Sequence, residues 1–277
     1  MFKYLFKALL LGSTLLATSF LSSAESNSNG IHDSWNILVT KNVVAINNGH
    51  STEVDYAAIK LQHSELKSYL DSLTAITQRE FDGWNKPKQL AFLINAYNAW
   101  TVELIVSNLE SKDHPELKSI KELGSFFSSP WNKEFIPLLG KIRSLDDIEH
   151  KLIRGSGRYN DPRIHFAVNC ASIGCPALRA EAYNADALES QLQDQTIRFL
   201  SDKTRNFAKD NTLSLSSIFK WYGEDFEQGF RGASTLSEFM LQYPEALKLI
   251  AAQKEALKSG KMNIKFLDYN WALNVHQ

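Results

Sequence analysis

The chain has 277 residues, with 30 basic and 31 acidic side chains and only two cysteines. This charge balance argues against a nucleic-acid binder, which would need a basic face. A chain of this length can bury a large core and forms one large domain or two small ones.

Residues 1–24 have the pattern of a secretory signal. Lys3 and Lys7 precede an apolar run over residues 8–21, and small residues lead to Ala24. An uncleaved membrane anchor is the alternative, but the run is short for crossing a bilayer. We expect cleavage after Ala24, a periplasmic or secreted location, and no stable membrane span afterwards. Loss of the two lysines leaves 28 basic and 31 acidic side chains, a net charge of −3.

Residues 25–33 are polar and without periodicity, which predicts a flexible terminus of the mature chain. No repeat, low-complexity tract or linker follows, so residues 34–277 are expected to form a single domain.

The most apolar stretch, residues 88–109, follows Pro87 and carries Glu103 as the only charge after its first residue. It lacks the polar stripe of a surface helix, which predicts a long buried central helix. Asn95 and Asn98 lie inside it. Their amides either hold the backbone of a neighbouring loop or line a binding site.

Five further elements complete the predicted fold. Residues 144–155 form a helix with Ser144 as N-cap and Gly155 at its end, and residues 185–200 form another. The alternating pattern of residues 163–168 predicts a strand, with further strands at residues 212–215 and 263–267. The expected class is α+β, a mostly helical single domain with a small β-sheet and a long buried central helix.

The segment RIHFAVNCASIGCPALR, residues 163–179, contains both cysteines. In an exported protein, Cys170 and Cys175 are more often paired than free. Gly174 would help the short loop turn back. A disulfide here would add local rigidity, because crosslinks that close short loops contribute least to global stability.

A second hypothesis, beside the disulfide, is that Cys170 is a thiol nucleophile. Such a nucleophile needs a neighbouring base. His165 lies five residues ahead, about 16 Å along an extended strand, so His150 is the preferred base. Glu149 faces away from His150, and Asp268 is the expected orienting acid. Asn169, or backbone amides near Ala171, would stabilise an oxyanion.

A third hypothesis for this segment is a metal site. His165, Cys170 and Cys175 follow at five-residue intervals, which match no zinc-binding spacing. Glycine-rich phosphate loops and the HExxH and GxSxG motifs are absent from the sequence. We therefore expect no metal and no cofactor.

The segments QLAFLINAYNAWT, SLDDIEHKLIR, DPRIHFAVNCASIGCPALR and LSLSSIFKWYGEDF resemble domain of unknown function 547. The resemblance covers residues 35–274 and implies an exported bacterial protein of unassigned reaction. Relatives commonly carry an aromatic residue in place of Leu93 and an aspartate in place of Asn270, and the second departure moves the expected acid to Asp268. The motif positions are candidates for a site: Asn95, Asn98, Glu149, His150, His165, Asn169, Cys170, Ser172 and Cys175.

These observations predict an exported thiol-dependent hydrolase or transferase that uses Cys170 with His150. Its partner would be a small-molecule or peptide ligand. Asn95, Asn98, Glu149, Ser172 and Cys175 would contribute to binding. The alternative is a non-catalytic periplasmic binding or envelope-maintenance protein braced by a Cys170–Cys175 disulfide.

Overall fold

The computed structural model describes residues 30–125 and 128–276. The predicted signal, residues 1–24, lies outside the described residues, as do residues 25–29 of the predicted terminus. The described chain is a mostly helical α+β single domain with small sheets of two or three strands, which confirms the predicted fold class.

Short helices dominate the chain. The α-helices are α1 (Asp33–Asn42), α2 (Tyr56–Leu61), α3 (His63–Ala75), α4 (Gln78–Asp82), α5 (Lys86–Val106), α6 (Leu188–Ser201), α7 (Ile218–Trp221), α8 (Gly223–Phe226), α9 (Leu236–Leu241), α10 (Pro244–Leu247) and α11 (Ala251–Lys258). A π-helix occupies Asp147–Ile153. The 3₁₀ turns are Gly30–His32, Asn47–Gly49, Ile120–Leu123, Pro130–Asn132, Arg154–Ser156, Pro162–Phe166 and Phe230–Gly232.

The strands form three separate small sheets. They are β1 (Val43–Ile46), β2 (Ser51–Val54), β3 (Ile136–Leu138), β4 (Lys141–Arg143), β5 (Phe207–Lys209), β6 (Thr212–Leu215) and β7 (Asn263–Phe266). β1–β2 and β3–β4 are antiparallel pairs. β6 pairs antiparallel with β5 and parallel with β7, with Leu213 opposite Ile264. The strands predicted at residues 212–215 and 263–267 are therefore confirmed.

Helix α5 is the centre of the larger core. The side-chain oxygen of Asn85 accepts a hydrogen bond from the N–H of Lys88, and Pro87 occupies the first turn, so the helix start is fixed locally. Every residue from 89 to 102 is buried. The predicted buried central helix is confirmed, although it begins at Lys86 and ends at Val106.

The strand predicted over residues 163–168 is wrong, because residues 162–166 form a 3₁₀ turn. The Asp161 side chain caps this turn by accepting from the N–H of Arg163, and Pro162 favours a helical start. Ile164 and Ala167 pack into the core around α5, whereas Phe166 packs into a second, aromatic core. Because two cores bury this segment from different sides, its sequence has the alternating apolar pattern of a strand although it belongs to no sheet.

Two other predictions change in detail. Gly30–His32 form a 3₁₀ turn and His32 is buried, so the ordered part of the chain begins before the predicted residue 34. The helix predicted at residues 144–155 is present, but Asp147–Ile153 has π geometry. Such wider turns recur at functional sites. In residues 30–125 and 128–276, no helix is long and apolar enough to cross a membrane.

Candidate functional site

A cavity of about 220 Å³ lies where the two cores meet. The π-helix, the 162–166 turn, the cysteine loop (residues 169–176), α7 and the C-terminal segment contribute to its wall. The lining residues are Tyr97, Ser129, Trp131, Asp146, Glu149, His150, His165, Val168, Cys170, Cys175, Pro176, Ile218, Trp221, Tyr222, Tyr269 and Trp271.

His165 is held in one orientation at the base of this cavity. Its Nε2 lies 2.7 Å from Oδ2 of Asp225, and its ring stacks on Tyr222 with centroids 4.0 Å apart. Burial lowers the pKa of His165, against the opposing effect of the hydrogen bond to Asp225. The neutral ring therefore donates Nε2–H to Asp225. Nδ1 keeps its lone pair, and it has no hydrogen-bond partner among the described residues.

Asp225 is the acid that orients this imidazole. Arg154 also binds it in a bidentate manner, with Nε 2.6 Å from Oδ2 and an Nη 3.1 Å from Oδ1. Burial alone would raise the pKa of Asp225, but the hydrogen bonds from His165 and Arg154 outweigh it and hold that pKa well below its usual range. The carboxylate is therefore ionised and accepts from both neighbours.

His150 lies on the π-helix, and its two ring nitrogens have different neighbours. An Nη of Arg154 is 2.9 Å from Nδ1. Arginine can only donate, so Nδ1 is the acceptor and the ring proton is on Nε2. Nε2 is 3.6 Å from the Asp146 carboxylate, beyond ordinary hydrogen-bond length. Both histidines line the cavity; His150 keeps a free N–H at Nε2, and His165 keeps a free lone pair at Nδ1.

Glu149 is buried beside His165, with Oε1 3.9 Å from Nδ1 of that ring. Burial, with a smaller effect of the neighbouring Glu149 carboxylate, raises the pKa of Tyr97 and of Tyr222, so both hydroxyls stay protonated beside this carboxylate.

Cys170 and Cys175 form a disulfide with their Cα atoms 6.1 Å apart. Cys175 is buried, whereas Cys170 is partly exposed to the cavity. The Tyr269 hydroxyl lies 3.2 Å from each sulfur, and the Ser172 hydroxyl lies 3.3 Å from the Cys170 sulfur. Within the described chain, no imidazole nitrogen hydrogen-bonds either sulfur in this oxidised state.

The cysteine loop is shaped by buried amides. Asn169 accepts from the N–H of Ala171, which has a positive φ of 58°, and donates to the carbonyl of Pro176. Asn98 accepts from the N–H of Asn169 and donates to the carbonyl of Ala167. These contacts fix the approach to the disulfide and commit the polar atoms of both side chains.

The C-terminal segment closes the other side of the loop. Ile173 and Gly174 donate their N–H groups to the carbonyls of Ala272 and Asn270, both at 2.8 Å, and Arg205 donates to the carbonyl of Cys175. The backbone N–H groups of residues 169–171 and 173–175 are thus all engaged within the protein. The backbone donors predicted near Ala171 are therefore already committed.

The structure brings together most of the predicted site. Cys170, Cys175, His150, His165 and Glu149 line one cavity, and Ser172 contacts the sulfurs from behind.

The other predicted residues lie outside the cavity. Asn95 exchanges two hydrogen bonds with the backbone of Tyr183, and Asn98 and Asn169 hold the cysteine loop. These contacts match the backbone-holding alternative for the helix asparagines. Asp268 lines a separate cavity with Arg205.

Sequence reasoning missed Asp225, Arg154, Tyr222 and Tyr269. The first and third lie in the WYGEDF segment, which the resemblance had already marked. No residue of that segment was named as a site candidate, and the pairing of Asp225 with His165 joins residues 60 positions apart. Only tertiary structure could reveal that pairing.

An aromatic rim surrounds the cavity mouth; it consists of Trp131, Trp221, Tyr269 and Trp271. Trp271 lies 5.6 Å from Trp131, 5.7 Å from Trp221 and 4.5 Å from Tyr269, measured between ring centroids. Trp221 is 47% exposed. A half-exposed tryptophan beside a cavity is a recognisable feature of binding sites.

No group of three histidine, cysteine or acidic side chains that could hold a metal occurs among the residues that the structure describes.

Comparison with known proteins gives a family but no described activity. No curated protein and no solved structure matches the chain. Residues 81–200 match the sequence profile of a family described as protein of unknown function, DUF547. The matched segment includes the π-helix, the 162–166 turn and the cysteine loop, whereas Tyr222, Asp225 and Tyr269 lie beyond it. Residues 81–200, fewer than half of the chain, are therefore similar to this family.

Proposed function

We propose that the protein is an exported thiol-dependent hydrolase or transferase, with Cys170 as nucleophile and His165 as its base. The observation that carries the proposal is that His165 lines the same cavity as Cys170 and that its buried Nδ1 has no hydrogen-bond partner among the described residues. A buried imidazole nitrogen without a partner costs free energy, and such costs concentrate at functional sites. The signal-like pattern of residues 1–24 supports export.

Catalysis requires the disulfide to be opened by a dithiol reductant, which supplies two electrons and two protons. Nδ1 of His165 then takes the proton of the Cys170 thiol, and Asp225 stabilises the imidazolium that forms. The Tyr269 and Ser172 hydroxyls, now close to the sulfurs, donate to the thiolate. Cys170 is the more accessible sulfur and is therefore the attacking one.

The thiolate adds to a carbonyl carbon, and the leaving group departs with the proton from His165. Water or an acceptor then attacks the thioester with the same imidazole as base, which releases the acyl group and restores the thiol. The developing oxyanion needs a donor, and the loop amides are already engaged. His150 lines the cavity and its Nε2–H has no acceptor at ordinary hydrogen-bond length, so we assign His165 as base and His150 as donor.

The reactivity of a single thiol tests this assignment. Cys175→Ser leaves Cys170 as the only sulfhydryl of the chain. We expect iodoacetamide to alkylate this variant at neutral pH about tenfold faster than an ordinary cysteine, because the imidazole raises the thiolate fraction. Adding His165→Gln should remove that gain.

His63→Gln is the matched control, because His63 pairs with Glu103 and does not line the cavity. Its alkylation rate should equal that of the Cys175→Ser parent. Equal rates with and without His165 would overturn the proposal. A loss of rate with His150→Gln alone would transfer the role of base to His150.

The second candidate is a non-catalytic periplasmic binding or envelope-maintenance protein. The formed disulfide favours it, because in this state the chain offers no thiol nucleophile. In that case the crosslink braces the cavity wall, and the alkylation rate of Cys170 is insensitive to His165.

A further inference from the structure

The cavity combines aromatic rings with carboxylates. Six of its lining residues carry aromatic side chains other than histidine: Tyr97, Trp131, Trp221, Tyr222, Tyr269 and Trp271. Asp146 and Glu149 also line it, and no lysine or arginine does so among the described residues. Rings present the negative face of their quadrupole to a ligand, so both features attract positive charge.

The nearest basic groups do not neutralise these carboxylates. Arg154 lies 4.9 Å from the Tyr222 ring, but Asp225 binds it in a bidentate manner and balances its charge. Lys121 lies 4.2 Å from the Trp271 ring, so the aromatic rim already holds one cation of the protein itself. His150 and His165 remain, and the second is neutral because burial lowers its pKa.

A second observation shows that the cavity is arranged for a ligand. His165 lines the cavity, and its Nδ1 is buried with no hydrogen-bond partner within the described chain, the nearest carboxylate oxygen of Glu149 being 3.9 Å away. A group that enters from the cavity would end the isolation of this nitrogen. The volume, about 220 Å³, lies below that of most drug-sized pockets and suits a small molecule rather than a polymer.

We propose that the cavity recognises a small organic ammonium ion, which the aromatic rim and Glu149 hold. This inference rests on the proposed function in one respect: the ammonium group would belong to the acyl substrate or its leaving group. Binding of the cation itself requires neither reduction of the disulfide nor the Cys170 thiol.

Binding of choline to the oxidised protein tests the proposal, with 3,3-dimethylbutan-1-ol as a neutral probe of the same shape. Three tryptophans line the cavity, so intrinsic fluorescence reports occupancy. At constant ionic strength we expect choline chloride to change the fluorescence saturably, and the neutral alcohol to bind at least tenfold more weakly. Glu149→Gln and Trp221→Leu should each weaken choline binding about tenfold.

Glu255→Gln is the matched control. Glu255 is exposed on α11 and does not line the cavity. It should bind choline as the parent does. Trp221 is itself half-exposed, so its variant remains informative if Glu149→Gln fails to fold.

Three results would overturn the proposal: no choline binding, equal binding of choline and the neutral alcohol, or binding of N-acetylglucosamine without binding of choline. The last would identify a sugar site. The oxidised protein has both cysteines in the disulfide, so its choline binding is measured independently of thiol reactivity, and a failure of either proposal can be told from a failure of the other.

Discussion

Two histidines fifteen positions apart show how single contacts divide chemical roles. Arg154 donates to Nδ1 of His150, and Asp225 accepts from Nε2 of His165. The first contact leaves a free N–H on His150, and the second leaves a free lone pair on His165. Arg154 also binds Asp225, so one guanidinium sets the proton position on both rings. This coupling is invisible to residue type and spacing.

Gly174 is required by the ring of Tyr269. A Cβ atom at position 174 would lie 2.8–2.9 Å from three atoms of that ring, which real contacts do not tolerate. We expect Gly174→Ala to lower the free energy of unfolding by about 1–3 kcal/mol, because the ring or the loop must shift. Urea denaturation measures the change.

Gly223→Ala is the control for that substitution, since nothing lies within 4 Å of its added Cβ and its φ is not positive. Its effect should stay within about 1 kcal/mol of the parent. Equal effects at positions 174 and 223 would contradict the close packing of the loop against Tyr269.

At the scale of secondary-structure elements, the sequence pattern was enough to predict an element where a single buried surface determines its structure. Helix α5 was predictable because its apolar run has no polar stripe, and β6 and β7 were predictable from short β-branched or apolar runs. The 162–166 turn was not, because burial by two cores imitates the alternation of a strand. The fold class thus followed from sequence and several predicted site residues line one cavity, whereas the pairing of Asp225 with His165 depended on long-range contacts.

The helical segment that leads into the π-helix is capped by Ser144. The Ser144 hydroxyl accepts from the N–H of Asp147 at 3.1 Å, and the Asp147 carboxylate accepts from the N–H of Ser144 at 3.0 Å. This reciprocal cap confirms the predicted N-cap. We expect Ser144→Ala to cost about 1 kcal/mol of unfolding free energy.

Ser190→Ala provides the comparison for the cap, since that hydroxyl is exposed and donates to a carbonyl at the start of α6. Chemical denaturation should show a loss at position 144 and a change within about 0.5 kcal/mol at position 190. The cap is unimportant if both variants unfold at the same denaturant concentration.

At the scale of the whole molecule, two imidazoles are buried far apart in the sequence. His32 lies against Tyr69 in the core around α5, and His165 lies where the two cores meet. Burial, with a smaller effect of Lys88, lowers the pKa of His32 from 6.5 to about 4. Burial also lowers the pKa of His165. Both residues therefore link the stability of the fold to pH in the same direction.

The unfolded chain binds a proton at His32 near pH 6.5, whereas the folded chain does so only near pH 4. Between these values the unfolded state holds more protons, so the unfolding free energy falls as pH falls and is unaffected by this group above pH 6.5. From pH 7 to pH 5, His32 should contribute a loss of about 2 kcal/mol.

His32→Gln keeps an acceptor for the Tyr69 hydroxyl and should remove that part of the loss, as urea denaturation at the two pH values would measure. His276→Gln, at an exposed position, should retain the loss of the parent. Parallel pH curves for the parent and His32→Gln would show that His32 is not the group responsible.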